Sequence, residues 1–314
     1  MRCVITDFRG DDASLEQSLL EEAGFEVFVA PSADPAAWEE QAVDADAILT
    51  RHAPIRAGLI ERLTRCAVIS RYGTGHDNID AVAAIGKGIV VTNVPDYCTP
   101  EAADHTMALL LASARHLEVL RQSVRSGGWT PDPLPPILRL AGRTLGMVGY
   151  GRIGAAVAQR ARAFGIRVRV YDPYLTADPE GAERFDDLEE MLSGSDFLTF
   201  HAPLTDQTRG ILDARRIALL PRGAIVINAA RGPMVDTTAL IEALRSGHLA
   251  AAALDVTPRE PPDPDDPVRT TPGLLVTPHT AYYSQTSVEQ AKRDSCAEII
   301  RVIRGETPRN PVRL

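Results

Sequence analysis

The feature that most constrains the fold of this chain is a regular alternation of short β-branched runs with amphipathic stretches. Apolar side chains spaced three or four residues apart indicate helices, whereas short runs rich in valine and isoleucine indicate strands. Strands separated by helices are typical of parallel sheets, because a crossover must return the chain to the end of the sheet where the previous strand began. The alternation therefore predicts an α/β protein.

The alternation falls into two series. The first series predicts five strands, near residues 2–6, 26–29, 46–49, 66–70 and 88–91, with helices such as 12–23 and 56–63 between them. The second series predicts six strands, in the sequences GRTLGMVG, IRVRVYD, DFLTFH, GAIVINAA, AAALDV and LLVTP. Two such series predict two doubly wound parallel-sheet domains, each with helices on both faces of its sheet.

The segments outside the two series suggest where the domains begin and end. An apolar-rich stretch over 100–125 predicts one long helix, and the glycine- and proline-rich sequence that follows, 126–136, predicts a loop. Residues 263–273 have the composition of a surface loop. A last helical pattern, over 287–304, follows the final strand and could pack back on the first domain. We therefore expect one domain made of residues 1–98 plus 284–314, and a second made of residues 99–283.

Composition narrows the function classes. The net charge of −9 argues against a nucleic-acid partner, whose phosphates need a basic surface. No apolar run approaches the roughly 18 residues that a membrane span needs, so we expect no membrane partner. The four cysteines are scattered and form no CxxC pair, which favours a reducing, cytoplasmic location and predicts no metal site.

A glycine motif, GYGRIG at 149–154, follows the first predicted strand of the second series and precedes a predicted helix. In that context Gly149 allows a tight turn, Gly151 lets the backbone approach a pyrophosphate, and Gly154 lets the helix pack closely on the strand. The N-terminus of the helix would add N–H donors for the phosphates. The motif therefore predicts a dinucleotide site rather than a plain tight turn.

An acidic residue follows this motif at the expected distance. The next predicted strand ends at Asp172, about 20 residues beyond the glycines, where a carboxylate can accept hydrogen bonds from the adenosine ribose. Its charge would repel a 2′-phosphate, so Asp172 favours NAD over NADP. Two alternatives stay open: Asp172 could be a mere strand-end cap, and Arg167 and Arg169 could in principle bind a 2′-phosphate.

Three ionisable side chains follow later strands of the second series. Arg231 follows GAIVIN, Glu260 follows AAALDV and His279 follows LLVTP. Ligands of doubly wound sheets bind at the carboxyl ends of the strands. There an arginine can clamp a carboxylate, a histidine can transfer a proton, and a nearby carboxylate favours the imidazolium. Each residue alone is more often structural, but together they predict hydride transfer to a 2-oxo acid.

Seven segments, in order along the chain, carry a resemblance to a known family. They are RYGTGHDNID (71–80), NVPDYCTPEAADHTMALLLA (93–112), GMVGYGRIG (146–154), HAPLT (201–205), NAARGPMVDTTAL (228–240), LDVTPREP (254–261) and TPHTAYYS (277–284). The chain resembles the D-isomer-specific 2-hydroxyacid dehydrogenase family, and NVPDYC and HTAYYS are most similar to its C-terminal-binding-protein-like branch. The resemblance implies an NAD-dependent oxidoreductase that dimerises through its nucleotide domain. It also implies a Rossmann NAD-binding domain at 99–283 and a flavodoxin-like substrate domain in the remainder.

The resemblance also implies roles for particular residues. The catalytic residues would be Arg231 as the substrate clamp, Glu260 as the partner of the histidine, and His279 as the acid/base. The implied substrate-binding residues are Arg71, Tyr72, Gly73, Thr74, Gly75 and Tyr282, with backbone N–H groups of 72–75 cradling the substrate carboxylate. The implied cofactor-binding residues are Thr106, Gly149, Gly151, Arg152, Ile153, Gly154, Asp172, His201, Pro203, Thr208, Ala229, Arg231, Asp255 and His279. Among these, Asp255 would contact the nicotinamide carboxamide.

Some positions depart from the commoner family pattern, and rival functions remain. Thr257 stands where an aromatic residue is usual, and Tyr282 stands where the corepressor-like branch often has tryptophan. Glu260 argues against formate dehydrogenase, which has glutamine there. The main rival is an NAD(H)-sensing interaction protein on the same fold, although the full set of Arg231, Glu260 and His279 favours an enzyme. Relatives acting on phosphite or 3-phosphoglycerate are a third alternative, and the identity of the 2-hydroxy acid stays open.

Overall fold

The computed structural model describes residues 1–7, 12–32, 34–129 and 137–313. The chain divides into two compact units, one made of Met1–Cys98 with Ser284–Leu314 and the other of Thr99–Tyr283. These ranges coincide with the domains expected from the sequence, and the binding role of each unit stays a prediction. None of the helices within the described ranges combines the length and apolar composition that a membrane crossing requires.

The first unit contains a five-stranded parallel sheet. Its strands are β1 (Arg2–Ile5), β2 (Glu26–Val29), β3 (Ala47–Thr50), β4 (Val68–Arg71) and β5 (Val90–Thr92). Its first four helices are α1 (Ser14–Glu22), α2 (Glu39–Ala42), α3 (Ala57–Arg62) and α4 (Ala81–Gly86). The strand order is β2-β1-β3-β4-β5 with every neighbouring pair parallel. This is the order of a flavodoxin-like sheet.

Both faces of this sheet are apolar, because packed elements cover both of them. Val4, Ile48 and Ile69 are aligned across β1, β3 and β4 and pack on one face. Ile5 and Leu49, one residue further along their strands, pack on the opposite face. Successive side chains of a strand point to opposite faces. That is why the continuous apolar runs CVI and AIL, rather than alternating patterns, form these strands.

The second unit contains a seven-stranded parallel sheet. Its strands are β6 (Thr144–Val148), β7 (Arg167–Tyr171), β8 (Glu183–Phe185), β9 (Phe197–Phe200), β10 (Ala224–Asn228), β11 (Leu249–Leu254) and β12 (Leu274–Val276). Its helices are α5 (Thr99–Ala114), α6 (Leu117–Arg125), α7 (Arg152–Ala163), α8 (Leu188–Ser193), α9 (Ala214–Ile217) and α10 (Thr237–Arg245). The strand order is β12-β11-β10-β9-β6-β7-β8. Strands β6 to β8 follow one another towards one edge of the sheet and β9 to β12 towards the other, so the switch point lies between β6 and β9. Ligands of such Rossmann sheets bind at this switch point, beyond the carboxyl ends of the strands.

The last helix, α11 (Gln285–Ile303), belongs to the first unit although it follows the second along the chain. It begins with a capping box in which Ser284 and Ser287 exchange hydrogen bonds. The backbone carbonyl of Ser295 accepts a hydrogen bond of 3.0 Å from the Ser70 hydroxyl of β4. The predicted final helix is therefore confirmed, and it packs on the first domain as expected.

Two local predictions were wrong. The single helix predicted over 100–125 is two helices, because His116 adopts a left-handed backbone (φ 51°) between α5 and α6. A histidine in a helical pattern carries no signal for such a break. The strand β8 was not predicted, since a three-residue edge strand containing charged side chains lacks an apolar run. Residues 130–136 of the predicted loop lie outside the described residues.

Candidate active site

Close packing requires glycine at two positions of the GYGRIG turn, which joins β6 to α7. Gly149 has a positive φ of 92°, and a Cβ atom there would lie 2.7 Å from the backbone N of Ala202. A Cβ atom at Gly154 would lie 2.7 Å from the carbonyl oxygen of Gly149. The turn therefore brings the end of β6 against the loop after β9, at the switch point of the sheet.

The third glycine of the turn faces open space. A Cβ atom at Gly151 would meet no atom within 4 Å among the described residues. Gly151 precedes α7, and no side chain in the described parts of the chain caps that helix. By contrast, Asp187 and Asp236 cap α8 and α10 by accepting hydrogen bonds from backbone N–H groups. An uncapped helix N-terminus beside open space fits the pyrophosphate of a dinucleotide.

Asp172 lies beside the same turn, directly after β7. Its Oδ2 accepts a hydrogen bond of 2.9 Å from the Tyr150 backbone N–H, and its Oδ1 accepts one of 3.0 Å from the Tyr174 backbone N–H. Asp172 therefore does cap local backbone groups, and it also presents a negative charge next to the glycine turn. The nearby arginines are engaged elsewhere: Arg167 donates to the Thr144 hydroxyl, and the Arg169 guanidinium lies 3.5 Å from Glu183.

The loop that follows β9 contains three of the predicted cofactor contacts. The His201 ring lies 3.2 Å from the Thr199 hydroxyl, and burial lowers the pKa of His201, so its imidazole is uncharged near neutral pH. The Thr208 hydroxyl donates to the Pro203 carbonyl at 2.7 Å and closes the loop. These contacts shape the loop at the switch point, and its contacts with a cofactor stay predictions.

His279 and Glu260 form a close pair at the carboxyl ends of β12 and β11. The His279 Nδ1 lies 2.6 Å from Glu260 Oε2, and Glu260 Oε1 accepts a hydrogen bond of 3.1 Å from the Thr257 N–H. An ionised carboxylate only accepts hydrogen bonds, so Nδ1 carries the proton of this pair. The Tyr282 ring packs edge-on against His279, with 6.2 Å between ring centroids. The two predicted catalytic residues therefore meet as expected, and Tyr282 adjoins them.

The backbone around His279 is held by the buried side chain of Asp255. The Asp255 carboxylate accepts hydrogen bonds from the Thr280 N–H at 2.9 Å, the Ala281 N–H at 2.8 Å and the Thr277 hydroxyl at 2.6 Å. The Asp255 carbonyl accepts a further bond of 2.8 Å from the His279 N–H. His279 itself has a positive φ of 50°, a conformation that persists only where the surroundings impose it.

Two opposing effects act on the ionisation of Asp255. Burial alone would raise the pKa of the carboxyl, but hydrogen bonds from His105, Thr277 and the backbone at 280–281 lower it below its ordinary value. The carboxylate is therefore ionised near neutral pH. The contact with the nicotinamide carboxamide expected of Asp255 stays a prediction. The sequence offered no signal for His105, because it lies far along the chain from the other members of this group.

The loop that carries Arg231 packs against the loop that carries Glu260. A Cβ atom at Gly232 would lie 2.1 Å from the Thr257 carbonyl oxygen, so only glycine permits this contact. The Asn228 side chain donates to the Arg231 carbonyl at 2.9 Å, which fixes the start of the loop. The half-buried Ala229 lies in the same loop. The role of Arg231 as a substrate clamp stays a prediction.

In the first unit, the structure corrects the prediction for Tyr72. Its backbone N–H donates to the Thr50 carbonyl within the sheet at 2.9 Å, so this N–H is not part of a substrate cradle. Its side chain is buried, and its hydroxyl donates to Glu16 at 3.0 Å. Gly73, Thr74 and Gly75 remain the predicted backbone donors for a substrate carboxylate.

Arg71 lies next to this loop. Gly73 has a φ of 116°, which favours glycine, and a Cβ atom there would lie 2.3 Å from an Arg71 guanidinium nitrogen. The Arg71 Nε donates to the Arg51 carbonyl at 3.2 Å. The loop that contains Arg51 is in turn held by the buried Asp7, whose carboxylate accepts from the N–H groups of Arg51 and His52 at 2.9 and 2.7 Å. Sequence reasoning missed Asp7, because a single aspartate after a strand has no distinctive pattern.

One further predicted cofactor residue, Thr106, is buried in α5. Its hydroxyl donates to the Ala102 carbonyl one turn earlier, at 2.8 Å. A hydroxyl that donates in this way can still accept a hydrogen bond. A cofactor contact at Thr106 stays a prediction.

The geometry of the second unit defines a class of protein. A Rossmann sheet with a glycine turn at its switch point, and a histidine–glutamate pair at the same edge, is typical of nucleotide-dependent dehydrogenases. Residues 107–281 match the family model described as D-isomer specific 2-hydroxyacid dehydrogenase, NAD binding domain. The chain belongs to this family, and its cofactor is NAD. The predicted family, fold class and cofactor are therefore confirmed.

Individual relatives agree with this assignment. The chain is 39% identical to a D-3-phosphoglycerate dehydrogenase of Methanocaldococcus jannaschii, over 100% of this chain and 60% of the relative. It is 38% identical to a glyoxylate reductase of Korarchaeum cryptofilum, over 87% of this chain and 84% of the relative. A solved structure from Thermus thermophilus is similar with a TM-score of 0.89 and 38% identity, over 100% of both chains. The chain thus spans less than two thirds of the M. jannaschii relative.

Proposed function

We propose that the protein interconverts a D-2-hydroxy acid and its 2-oxo acid with NAD as the redox partner. The observation that carries this proposal is the 2.6 Å contact between His279 Nδ1 and Glu260 Oε2, at the sheet edge where the glycine turn lies. NADH, when bound, supplies the hydride for reduction. Gly149, Gly151 and the N-terminus of α7 would hold its pyrophosphate, because they provide the turn, the open space and the N–H donors.

The protein's own groups have distinct tasks in this proposal. Glu260 holds the proton on Nδ1 of His279, which makes Nε2 the nitrogen that gives a proton to the substrate carbonyl oxygen during reduction. Glu260 also stabilises the protonated imidazole through its charge. The guanidinium of Arg231 would bind the substrate carboxylate and polarise the neighbouring ketone. In the first unit, the backbone N–H groups of 73–75 are the proposed donors for a substrate carboxylate.

The substitution His279→Gln tests this proposal most directly. Purified protein is assayed for oxidation of NADH and of NADPH with four 2-oxo acids. They are glyoxylate, pyruvate, hydroxypyruvate and 3-phosphohydroxypyruvate, the 2-oxo acid that corresponds to 3-phosphoglycerate. We expect turnover of at least one acid, faster with NADH, and a loss of roughly a hundredfold or more in His279→Gln with NADH binding kept. The half-buried His248, whose ring contacts the Ile217 carbonyl, provides a matched control, because His248→Gln should keep the turnover. Equal rates for wild type and His279→Gln would contradict the proposal.

The preference for NAD over NADP is part of the proposal. It is supported by the Asp172 carboxylate beside the glycine turn and by the engagement of Arg167 and Arg169 with other groups. A 2′-phosphate next to this carboxylate would meet like charge, and both arginines of the strand before it are already engaged. The rates with the two cofactors in the assay above test this preference.

The rival function is an NAD(H)-sensing interaction protein on the same fold. The pairing of His279 with Glu260 favours the enzyme, because a sensor has less need for a proton donor. Tight NADH binding without turnover of any acid in the panel, together with capture of a protein partner, would support the rival instead.

We also propose that the protein is a homodimer formed through its second unit. Every residue of α6 is at least partly exposed, and Leu117 and Val124 on it are each 52% exposed. Trp129, just beyond α6, is 90% exposed. Exposed apolar side chains within one short segment of the chain are the kind that a contact surface uses. A second copy of the same surface is the partner that a two-fold dimer would supply.

A reducing, cytoplasmic location completes the proposal. It is supported by the cysteines, all four of which are free thiols. Cys66 is partly exposed, so a reducing compartment would keep its thiol free. Fractionation of the source cells and detection of the protein in the cytoplasmic fraction would test this location.

A further inference from the structure

Helix α5 directs one histidine at the segment that carries His279. The His105 Nε2 lies 3.0 Å from the Thr277 hydroxyl oxygen and 3.4 Å from Asp255 Oδ1. About a quarter of the His105 side chain is exposed, whereas the Asp255 side chain is fully buried. His105 therefore reaches a buried carboxylate from another element of the same unit.

The chemistry of the three groups fixes the direction of their hydrogen bonds. The Thr277 hydroxyl lies 2.6 Å from Asp255 Oδ1, and an ionised carboxylate only accepts. Thr277 therefore donates its single proton to Asp255, and its oxygen accepts from His105. It follows that Nε2 of His105 carries a proton. The result is a directed chain from His105 through Thr277 to Asp255.

This chain ends at the group that holds His279 in place. The Asp255 carboxylate accepts from the N–H groups of Thr280 and Ala281 at 2.9 and 2.8 Å, immediately after His279. Thr277, two residues before His279, donates to the same carboxylate. The His279 backbone, at φ 50°, is thus tied down on both sides through one side chain. Glu260 orients the His279 ring, whereas Asp255 orients its backbone.

We propose that His105 is a positioning residue for proton transfer. By donating to Thr277, it fixes the orientation of the threonine hydroxyl and of the Asp255 carboxylate, and so the backbone conformation of His279. The kinetic consequence rests on the proposed function, since only a proton-transfer step makes the His279 position matter for turnover. A misplacement of a reacting group by about 1 Å can cost up to about a hundredfold in rate, so a loosened segment lowers kcat.

Two substitutions separate this positioning role from a general structural role. His105→Leu keeps the approximate size of the side chain but removes the donor, whereas His105→Gln keeps an N–H donor near the position of Nε2. We expect His105→Leu to lower kcat about tenfold, a larger change than in the KM for NADH, whose nicotinamide Asp255 is also predicted to contact. His105→Gln should stay within about threefold of wild type in kcat. His248→Leu, at a histidine distant in sequence from this group, serves as the control and should keep the wild-type kcat.

A second readout does not depend on turnover. Hydrogen–deuterium exchange of the peptide spanning residues 277–283 reports the Thr280 and Ala281 N–H groups, which should exchange about tenfold faster in His105→Leu and at the wild-type rate in His105→Gln. Wild-type exchange and wild-type kcat in His105→Leu would overturn the proposal, as would a His105→Gln variant that behaves like His105→Leu. If no 2-oxo acid is turned over by the wild-type protein, the proposed function fails, and the exchange rates alone decide the role of His105.

Discussion

At the scale of single residues, the buried Asp255 supports the segment that carries His279. Its buried carboxylate accepts from two backbone N–H groups and from the Thr277 hydroxyl. Burying a charge is costly unless hydrogen bonds compensate it. Here they do so well enough to hold the pKa of Asp255 below its ordinary value. The carboxylate therefore contributes to stability as well as to the shape of the segment around His279.

This arrangement predicts an acid-dependent effect of Asp255→Asn. At neutral pH the variant should lose about 2 kcal/mol of unfolding free energy, because the amide NH2 faces an N–H donor. A carboxyl whose folded pKa is lowered contributes its full stability above its ordinary pKa of 3.8 and loses it as the pH falls through the lower folded value. The difference between wild type and variant should therefore shrink in acid. Urea unfolding from about pH 6 down to about pH 3 measures this difference, and a constant difference would contradict the prediction.

At the scale of elements, the glycines of the turn between β6 and α7 differ in what requires them. Gly149 and Gly154 are required by contacts with backbone atoms, whereas Gly151 faces open space. The sequence motif alone suggests this division of tasks, and the atomic contacts agree with it. The turn thus combines a structural requirement with a binding requirement, and substitutions can separate the two.

We expect Gly149→Ala and Gly151→Ala to differ in kind. Gly149→Ala should lower the unfolding free energy by about 2 kcal/mol or more, because of its positive φ and its contact with Ala202. Gly151→Ala should change stability by less than about 0.5 kcal/mol but weaken NADH binding at least about tenfold, since the methyl group occupies the space next to the phosphates. Thermal unfolding and titration of NADH fluorescence measure the two effects. A stable Gly151→Ala variant with wild-type NADH affinity would show that the pyrophosphate does not approach here.

The other elements show where sequence patterns fail. The sequence over 101–125 contains no proline or glycine that would interrupt a helix, yet α5 ends at Ala114, because His116 takes a left-handed conformation. Beyond the break, α6 leaves apolar side chains such as Leu117 exposed. Helical periodicity describes which side chains share a face, and it does not say whether the backbone turns at one residue between them.

At the scale of the whole molecule, the exposed apolar surface of α6 predicts the oligomeric state. The wild-type protein should have twice the 33.9 kDa mass of the chain by light scattering. The double variant Leu117→Glu with Val124→Glu should be monomeric, because two charges per copy would face each other across a two-fold contact. Val82→Glu is a matched control, since Val82 is 66% exposed on α4 of the other unit and should not affect the mass. A monomeric wild type would refute the dimer.

Much of the architecture follows from the sequence alone. Strand and helix periodicities, the GYGRIG turn with Asp172 behind it, and the order of seven family segments are all local patterns. Local patterns determine the α/β class, the parallel sheets and the NAD cofactor, because each depends on residues close together in the chain. The family resemblance implied that Glu260 pairs with His279, and the two side chains lie 2.6 Å apart beyond the ends of neighbouring parallel strands.

Only the tertiary structure decided how the candidate site is supported. His105 and Thr277 are 172 positions apart, and no spacing rule connects them. The same holds for Asp7, which orders the loop at Arg51 and His52, and for the N–H of Tyr72, which the sheet uses. Hydrogen bonds between distant segments depend on which side chains the packed elements bring within about 3 Å. The sequence predicted which groups would carry the chemistry, and the packing of the elements decided what holds those groups in place.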